Sequence, residues 1–183
     1  MSDSVAQAKK QLRNEMKALR AACGDRAARD ERVCARFFSL PASEKRSFFI
    51  YNAISNETAT AQIAARLLRE GKVVCFPRTE GNEMVAVRWQ GQATVKGAFG
   101  IEEPVGEPYG GEIDVCVLPL LAADGQFYRI GYGGGFYDRF LSGKKIYKVG
   151  ICYDFQIVGR VPREPHDVRL DALVTDARTM IRR

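Results

Sequence analysis

Apolar residues recur every three or four positions at the start of the chain, which is the spacing of an amphipathic helix. The repeating positions are Val5, Ala8, Leu12, Met16 and Leu19. The sequence CGD at 23–25 interrupts this pattern, and a second helix is predicted from about residue 25 to residue 38, before Pro41. Both helices are expected to bury one apolar face against the rest of the protein.

After residue 46 the pattern changes to short, continuous apolar runs of the kind that form buried strands. The runs SFFIYNA (47–53) and KVVCF (72–76) flank a segment with helical spacing that ends at Gly71. This order of strand, helix and strand predicts a βαβ unit with a parallel strand pair. Pro77 is expected to stop the second strand, because proline cannot donate to a strand ladder.

Four further strands are predicted in the remainder of the chain. They are MVAVRW (84–89), IDVCVLPLLA (113–122), KIYKVGICY (145–153) and DALVTD (171–176). Residues 91–111 are rich in glycine and proline and are predicted to form a long ordered loop, and FYDRFL (136–141) is predicted to begin a helix. Residues 1–183 are therefore expected to form a single domain, a three-layer α/β sandwich with a mostly parallel sheet.

Composition and charge exclude few classes of function. The net charge of +6 gives a mild preference for anionic partners such as nucleic acid, phosphates or polycarboxylates, although it also fits an ordinary basic soluble protein. Basic residues do not form a stripe interleaved with stacking aromatics, so we do not expect nucleic-acid binding.

The cysteines and the termini indicate a protein of the cytoplasm. The five cysteines form no C-x-x-C pair and most lie in apolar runs, which predicts reduced core residues rather than disulfides or a zinc site. The N-terminus lacks the apolar stretch of a signal peptide. No segment approaches the ~18 apolar residues of a membrane span, so we expect no membrane association.

The segment RIGYGGGFYD (129–138) contains four glycines within five positions, and we call residues 131–135 the glycine segment. A predicted strand, a glycine-rich turn and a helix start form a layout that binds phosphate, because main-chain N–H groups point outward and no Cβ intervenes. Arg129 can add a charge-assisted hydrogen bond. The alternative is a structural turn that packs its aromatic residues. Neither a Walker A loop nor a dinucleotide fingerprint fits, since Phe136 replaces the third glycine of the latter.

Motifs across nearly the whole chain resemble those of the 5-formyltetrahydrofolate cyclo-ligase family, whose enzymes are also called methenyltetrahydrofolate synthetases. They are AKKQLRNEMKALR (8–20), SNETAT (55–60), GIEEP (100–104), VLPLLAADGQFYRIG (117–131), RIGYGGGFYD (129–138) and VPREPHDVRLDALVTD (161–176). The resemblance implies an α/β fold of the NagB/RpiA/CoA-transferase type. It also implies a monomeric enzyme that uses ATP and Mg²⁺ to close 5-formyltetrahydrofolate, with or without a polyglutamate tail, into 5,10-methenyltetrahydrofolate by phosphorylating the formyl oxygen.

The resemblance further implies a set of site residues. The ATP contacts are Lys9, Arg13, Arg129, Gly131, Tyr132, Gly133, Gly134, Gly135, Phe136 and Tyr137. The folate contacts are Glu57, Tyr132 and Phe136, the metal ligands are Asp138 and Asp167, and the residues of the chemical step are Arg129 and Tyr137.

Several of these assignments have simpler alternatives. Lys9 and Arg13 lie four residues apart on one helix face and could be a solvated basic edge, and Asp138 could be an ordinary acid of a first helical turn. Asp171 is an alternative to Asp167 as a metal ligand, and His166 is assigned no catalytic role. For the protein as a whole, the alternative function is folate or nucleotide binding without turnover.

Overall fold

The computed structural model describes residues 2–97, 100–164 and 167–183. The helices are α1 (Ser2–Ala21), α2 (Arg26–Phe37), α3 (Ala61–Arg69) and α4 (Phe136–Leu141). The strands are β1 (Ser47–Ile50), β2 (Val73–Glu80), β3 (Glu83–Arg88), β4 (Thr94–Lys96), β5 (Glu102–Pro104), β6 (Val115–Leu118), β7 (Ala122–Asp124), β8 (Arg129–Ile130), β9 (Tyr147–Ile151), β10 (Ile157–Val158), β11 (Ala172–Val174) and β12 (Thr179–Ile181). Within the described part of the chain, the helices are too short or too polar to cross a membrane.

Seven strands form one mixed sheet in the order β12-β11-β9-β6-β1-β2-β3. The five inner strands are parallel to one another, and β12 and β3 run antiparallel at the two edges. Strands β1 and β2 pair with Ser47 opposite Val73, and α3 makes the crossover that parallel neighbours require. The predicted βαβ unit is confirmed.

Side chains of the central strands alternate between two cores, one on each face of the sheet. On β1, Phe48 and Ile50 pack with α2 and α3, whereas Phe49 packs with α4 on the opposite face. Because both faces are covered, these strands read as continuous apolar runs rather than as an alternating pattern. The prediction of a three-layer α/β sandwich with a mostly parallel sheet is confirmed.

A smaller sheet, in the order β10-β7-β8, supports α1. Met16 of α1 packs there with Leu121, Ile130 and Val161. Since β8 leads directly into the glycine segment, this third core fixes the N-terminal helix beside that segment.

The strand predicted at 113–122 is divided in the structure, so the prediction of one continuous strand was wrong. Strand β6 ends at Leu118, and the chain then enters β7 of the small sheet. The buried amide of Gln156 donates to the carbonyls of Leu120 and Leu121 at 3.1 and 2.9 Å, which satisfies main-chain groups where the chain leaves the large sheet. The glycine segment consequently follows β8 and not a central strand.

Two further predictions near the β2–β3 edge were wrong. Pro77 does not stop β2, because β1 pairs only as far as Cys75 and the remainder of β2 pairs with β3 alone. The predicted loop at 91–111 contains the β4–β5 hairpin, although residues 98 and 99 lie outside the described residues. The buried Glu103 carboxylate accepts hydrogen bonds from the Thr79 N–H at 3.1 Å and its hydroxyl at 2.9 Å, and so ties the hairpin to β2.

All five cysteines are free thiols, as predicted. Cys75, Cys116 and Cys152 are buried, whereas Cys23 and Cys34 are partly exposed. Burial raises the pKa of the Cys75 and Cys116 thiols to about 12, so they are neutral core residues. The expectation of core cysteines therefore holds for three of the five.

The tight packing around Gly150 of β9 gives a test of the second core. A Cβ at this position would lie 2.6 Å from Leu170, 2.9 Å from Leu120 and 3.0 Å from Leu173. We expect Gly150→Ala to lower the free energy of unfolding by about 1–3 kcal/mol, because overpacking forces buried side chains to move. Chemical denaturation measures the change.

Gly159→Ala is the matched control, since an added Cβ there meets nothing within 4 Å. We expect this variant to unfold within about 0.5 kcal/mol of the unaltered protein. Equal denaturation midpoints for the two variants would contradict the described leucine packing.

Candidate functional site

The basic residues of α1 lie against the glycine segment. Arg13 donates from Nε to the Gly131 carbonyl at 2.9 Å, and its Nη2 lies 3.4 Å from the position that a Cβ on Gly133 would occupy. Seven residues further along the helix, Arg20 donates from Nη2 to the Tyr132 hydroxyl at 2.6 Å. The helix is therefore docked on the segment through guanidinium groups.

Glycine is required in this segment by both main-chain conformation and space. Gly133 and Gly135 have φ angles of +104° and +68°, in the region that glycine adopts at least cost. A Cβ on Gly134 would lie 2.9 Å from the Phe136 ring, and one on Gly135 would lie 2.7 Å from Nη1 of Arg139. Gly133 and Gly134 are exposed, so their main chain is open to a ligand.

Lys9 connects α1 to the segment that precedes β11. Its Nζ donates to Asp167 Oδ2 at 2.8 Å and to Glu164 Oε2 at 2.9 Å. Burial lowers the pKa of Lys9, but the hydrogen bonds and charges of the two carboxylates raise it to a greater extent. Lys9 is thus buried and positively charged, and the alternative of a solvated basic edge does not apply to it.

Arg129 joins the start of α4 to the same segment. Its Nη2 donates to Asp138 Oδ1 at 2.9 Å and its Nη1 donates to the Val168 carbonyl at 2.9 Å, and only 6% of its side chain is exposed. Asp138 therefore contacts the Arg129 guanidinium directly. Asp167 precedes Val168, whose carbonyl accepts a hydrogen bond from the same guanidinium.

The two aspartates have the donor chemistry of a magnesium site. Among the described residues, no hydrogen bond reaches Oδ2 of Asp138 or Oδ1 of Asp167, so each carboxylate has one oxygen available. Mg²⁺ is commonly held by one or two carboxylates with phosphates and waters as its other ligands. The described residues contain no cluster of three or more metal-binding side chains, so substrate oxygens would have to complete the coordination.

Asp171 contacts different elements from Asp167. Its carboxylate accepts a hydrogen bond from the Lys148 N–H of β9 at 2.9 Å and pairs with the Lys148 and Arg182 side chains. Burial raises the pKa of Asp171, but hydrogen bonds from Lys148 and Arg182 lower it to a greater extent. Its carboxylate is therefore occupied by these two cations and does not join the cluster. His166 lies outside the described residues.

Glu57 is 6% exposed and lies under Tyr132. Its Oε2 accepts a hydrogen bond from the Ile54 N–H at 2.9 Å. Burial raises the pKa of Glu57, and the bonds from Ile54 and Tyr132 together with the charge of Arg20 offset only part of the rise. Through Tyr132, the glycine segment therefore interacts with Glu57, the acid that the family resemblance assigns to the folate.

Tyr137 and Phe136 are partly buried at the start of α4. The Tyr137 ring lies 6.2 Å from the ring of Phe49, and burial raises the pKa of its hydroxyl well above the usual value. The Phe136 ring lies 5.0 Å from the guanidinium carbon of Arg139. Both aromatic residues therefore pack where the glycine segment enters α4.

An apolar groove of about 720 Å³ opens between the segment that follows β1 and the β4–β5 hairpin, and residues 52–54 and 59–61 on either side of Glu57 line it. Its lining includes Ile54, Phe76, Trp89 and Ile101. Trp89, the last residue of the predicted strand at 84–89, is half-buried and lines this groove. The groove has the dimensions and the apolar walls of a site for a flat ring system.

Arg20 was not predicted from the sequence as a site residue. Its position provided the signal, because Lys9, Arg13 and Arg20 are separated by four and seven residues and therefore share one helix face. The structure shows that Arg20 is 3% exposed, which spacing does not reveal.

The chain is similar to proteins of one family over most of its length. The model of the 5-formyltetrahydrofolate cyclo-ligase family matches residues 5–176. A 5-formyltetrahydrofolate cyclo-ligase of Escherichia coli is 31% identical over 140 residues, which cover 70% of this chain and 77% of that protein. A probable 5-formyltetrahydrofolate cyclo-ligase of Schizosaccharomyces pombe is 28% identical over 166 residues, with coverages of 78% and 81%.

The similarity extends to three-dimensional structure. The NMR structure of 5,10-methenyltetrahydrofolate synthetase from Aquifex aeolicus superimposes with a TM-score of 0.84 at 34% sequence identity. The match covers 94% of this chain and 92% of that chain.

The contact between Arg13 and the glycine segment predicts an anion site that can be tested with inorganic tripolyphosphate. We expect Arg13→Gln to weaken tripolyphosphate binding about tenfold or more, because hydrogen bonds to charged groups contribute roughly 1.5–3 kcal/mol. Isothermal titration calorimetry measures the affinity.

Lys10→Gln is the control, because Lys10 is an exposed cation of the same helix and its loss changes the net charge equally. We expect it to change the affinity less than about threefold, the scale of a screened surface charge. A similar loss of tripolyphosphate affinity in both variants would mean that net charge alone accounts for binding. It would contradict a specific anion site.

Proposed function

The chain belongs to the 5-formyltetrahydrofolate cyclo-ligase family, and we propose that the cluster around the glycine segment is its active site. The protein is an ATP-dependent ligase that converts 5-formyltetrahydrofolate to 5,10-methenyltetrahydrofolate. The observation that carries the proposal is the position of Arg13, which lies over exposed, side-chain-free main chain and is bonded there to a carbonyl.

ATP is proposed to place its phosphates along the glycine segment, from Gly131 to Gly135. Arg13 lies beside Gly133 and would bond a phosphate oxygen, and Lys9 adds positive charge from the same helix face. The absence of side chains at the exposed glycines supports this assignment, since phosphate oxygens can then approach the main chain directly.

The free oxygens of Asp138 and Asp167 are proposed to hold Mg²⁺. The ion would neutralise the charge of the ATP phosphates and fix their geometry. The support is that one oxygen of each carboxylate is bound by a cation, Asp167 by Lys9 and Asp138 by Arg129, while the second oxygen is available to the metal.

The folate is proposed to bind with its pterin ring against Glu57, next to the residues 52–54 and 59–61 that line the apolar groove. A buried carboxylate accepts two hydrogen bonds from adjacent N–H donors, which the pterin amino group and ring N–H present. Tyr132 and Phe136 are assigned to the boundary between folate and ATP. The support is the interaction of Tyr132 with Glu57, since Tyr132 belongs to the glycine segment that also contacts Arg13.

The chemical step is proposed to begin with attack of the N5-formyl oxygen on the γ-phosphorus of ATP, which releases ADP. The product is an iminium phosphate, whose carbon is far more electrophilic than that of the formamide. N10 of the same substrate attacks this carbon and loses its proton, and the C–O bond breaks as inorganic phosphate leaves. Because both reacting atoms belong to one molecule, proximity supplies much of the rate.

Arg129 and Tyr137 are proposed to act on the transferred phosphoryl group. The Tyr137 hydroxyl interacts electrostatically with both Glu57 and Arg129, which supports a role near the groups assigned to folate and to phosphate. Since burial keeps this hydroxyl protonated, it can donate a hydrogen bond to developing negative charge. Arg129 adds positive charge beside Asp138.

We also propose that the enzyme is a monomer, acts in the cytoplasm and accepts polyglutamylated folates. Few large apolar residues of the described chain are exposed, and this supports a monomer. They are Leu19, Val95, Val105, Tyr132 and Ile181. The net charge of +6 favours a polyanionic tail.

The function is tested by incubating the protein with 5-formyltetrahydrofolate and Mg-ATP and following the absorbance of the methenyl product. We expect one ADP and one phosphate for each product molecule and no product when ATP is omitted. Tight folate binding without ATP consumption would identify a binding protein without turnover and would contradict the proposed mechanism.

The metal assignment is tested by Asp138→Asn, which keeps the size of the side chain and removes its charge. We expect kcat to fall about 100-fold or more, on the scale of a lost group that stabilises the transition state, and the Mg²⁺ concentration for half-maximal rate to rise. Asp25→Asn is the control, because the Asp25 side chain makes no capping hydrogen bond. Full activity of Asp138→Asn with unchanged Mg²⁺ dependence would show that the metal binds elsewhere.

A further inference from the structure

Arg20 is a buried cation whose hydrogen-bonding capacity is largely unused. It is 3% exposed and makes one hydrogen bond, from Nη2 to the Tyr132 hydroxyl. Its Nε and Nη1 are buried without a hydrogen-bond partner among the described residues. A buried guanidinium in this state is unfavourable to folding, so its presence calls for an explanation other than stability.

Tyr132, the hydrogen-bond partner of Arg20, also interacts with a second buried side chain, that of Glu57. The Tyr132 hydroxyl also interacts with the Glu57 carboxylate, so that Arg20, Tyr132 and Glu57 form a chain of interacting polar groups. The three residues come from α1, from the glycine segment and from the segment that follows β1. This chain, which we call the Arg20 relay, joins the element assigned to ATP with the acid assigned to folate.

We propose that Arg20 is a positioning residue for folate recognition, which holds the Tyr132 hydroxyl beside Glu57, the buried carboxylate that accepts N–H bonds from the pterin. The inference rests on the proposed function, in which Glu57 binds the folate. Arg20 itself need not touch the substrate, because its effect passes through Tyr132 and through its charge.

The charges around Glu57 support this role. Arg20 is the cation that faces Glu57, while the other titratable groups near it are the hydroxyls of Tyr132, Tyr51 and Tyr137. Burial raises the pKa of each of these tyrosines, so they are neutral at physiological pH. Burial also raises the pKa of Glu57, and the charge of Arg20 opposes that rise.

The direction of the pH effect follows from these signs. Loss of the Arg20 charge leaves the effect of burial on Glu57 less opposed, so the carboxyl group takes up a proton at a higher pH. A protonated Glu57 cannot accept both pterin N–H bonds. The acid limb of kcat/KM for 5-formyltetrahydrofolate should therefore move to higher pH, with no corresponding change for ATP.

The experiment compares Arg20→Gln, Arg20→Lys and Tyr132→Phe with the unaltered enzyme from mildly acidic to neutral pH. For Arg20→Gln we expect the KM for 5-formyltetrahydrofolate to rise about tenfold or more and the acid limb to move upward, while the KM for ATP changes less than about twofold. Arg20→Lys retains the charge and should restore most of the acid limb.

Tyr132→Phe interrupts the relay without removing a buried charge, so it provides the test if Arg20→Gln does not fold. We expect it to raise the folate KM and to move the acid limb in the same direction by a smaller amount. Lys17→Gln is the control, because Lys17 is an exposed cation of α1 whose Nζ lies 5.5 Å from the centre of the Tyr132 ring. It should match the unaltered enzyme.

The outcomes separate the two proposals. If the unaltered protein forms methenyl product but Arg20→Gln and Tyr132→Phe keep its folate KM and pH profile, the relay has no role and the inference alone is overturned. If Arg20→Gln raises the KM for ATP and folate equally, Arg20 acts by supporting α1 and not Glu57. If the unaltered protein forms no product, the proposed function and the inference fail together.

Discussion

The site depends on the contact between one helix and a length of main chain without side chains. Arg13 can reach the Gly131 carbonyl and lie beside Gly133 only because no Cβ stands between the guanidinium and the backbone. The small sheet and its core hold α1 at the required distance, and the large sheet holds the start of α4. Loss of either support would separate cations and glycines that lie more than 100 residues apart in the chain.

The parts of the fold that could be predicted are those governed by local patterns. The apolar runs of β1 and β2 and the helical spacing between them specify a parallel pair, because each face of that unit must be buried. The division of the predicted strand at 113–122 was missed, although Pro119 directly follows β6 and a proline argues against a continuous central strand. Which sheet the later residues join was not apparent, because the Gln156 amide that bonds the Leu120 and Leu121 carbonyls lies more than 30 positions away.

The candidate site was predictable to a different degree. The glycine segment is apparent in the sequence, because consecutive glycines are costly unless the main chain needs them. The residues around it were assigned through resemblance to a family, and spacing alone left Lys9 and Asp138 with ordinary structural alternatives. Arg20 illustrates the limit: its helix face could be read from the sequence, but its burial results from tertiary contacts with the glycine segment.

The pairing of charges explains which part of the site is left for an anion. Within the described chain, Lys9 is matched by Asp167 and Glu164, Arg129 by Asp138, and Arg20 lies near Glu57. Arg13 differs from Lys9 and Arg129, because its hydrogen bond goes to a neutral carbonyl and not to a carboxylate. Buried or half-buried charge is unfavourable without a partner, so the folded site balances Lys9 and Arg129 but not Arg13. An anion that binds over the glycine segment would supply the missing partner, and a preorganised cation of this kind needs little rearrangement when phosphate arrives.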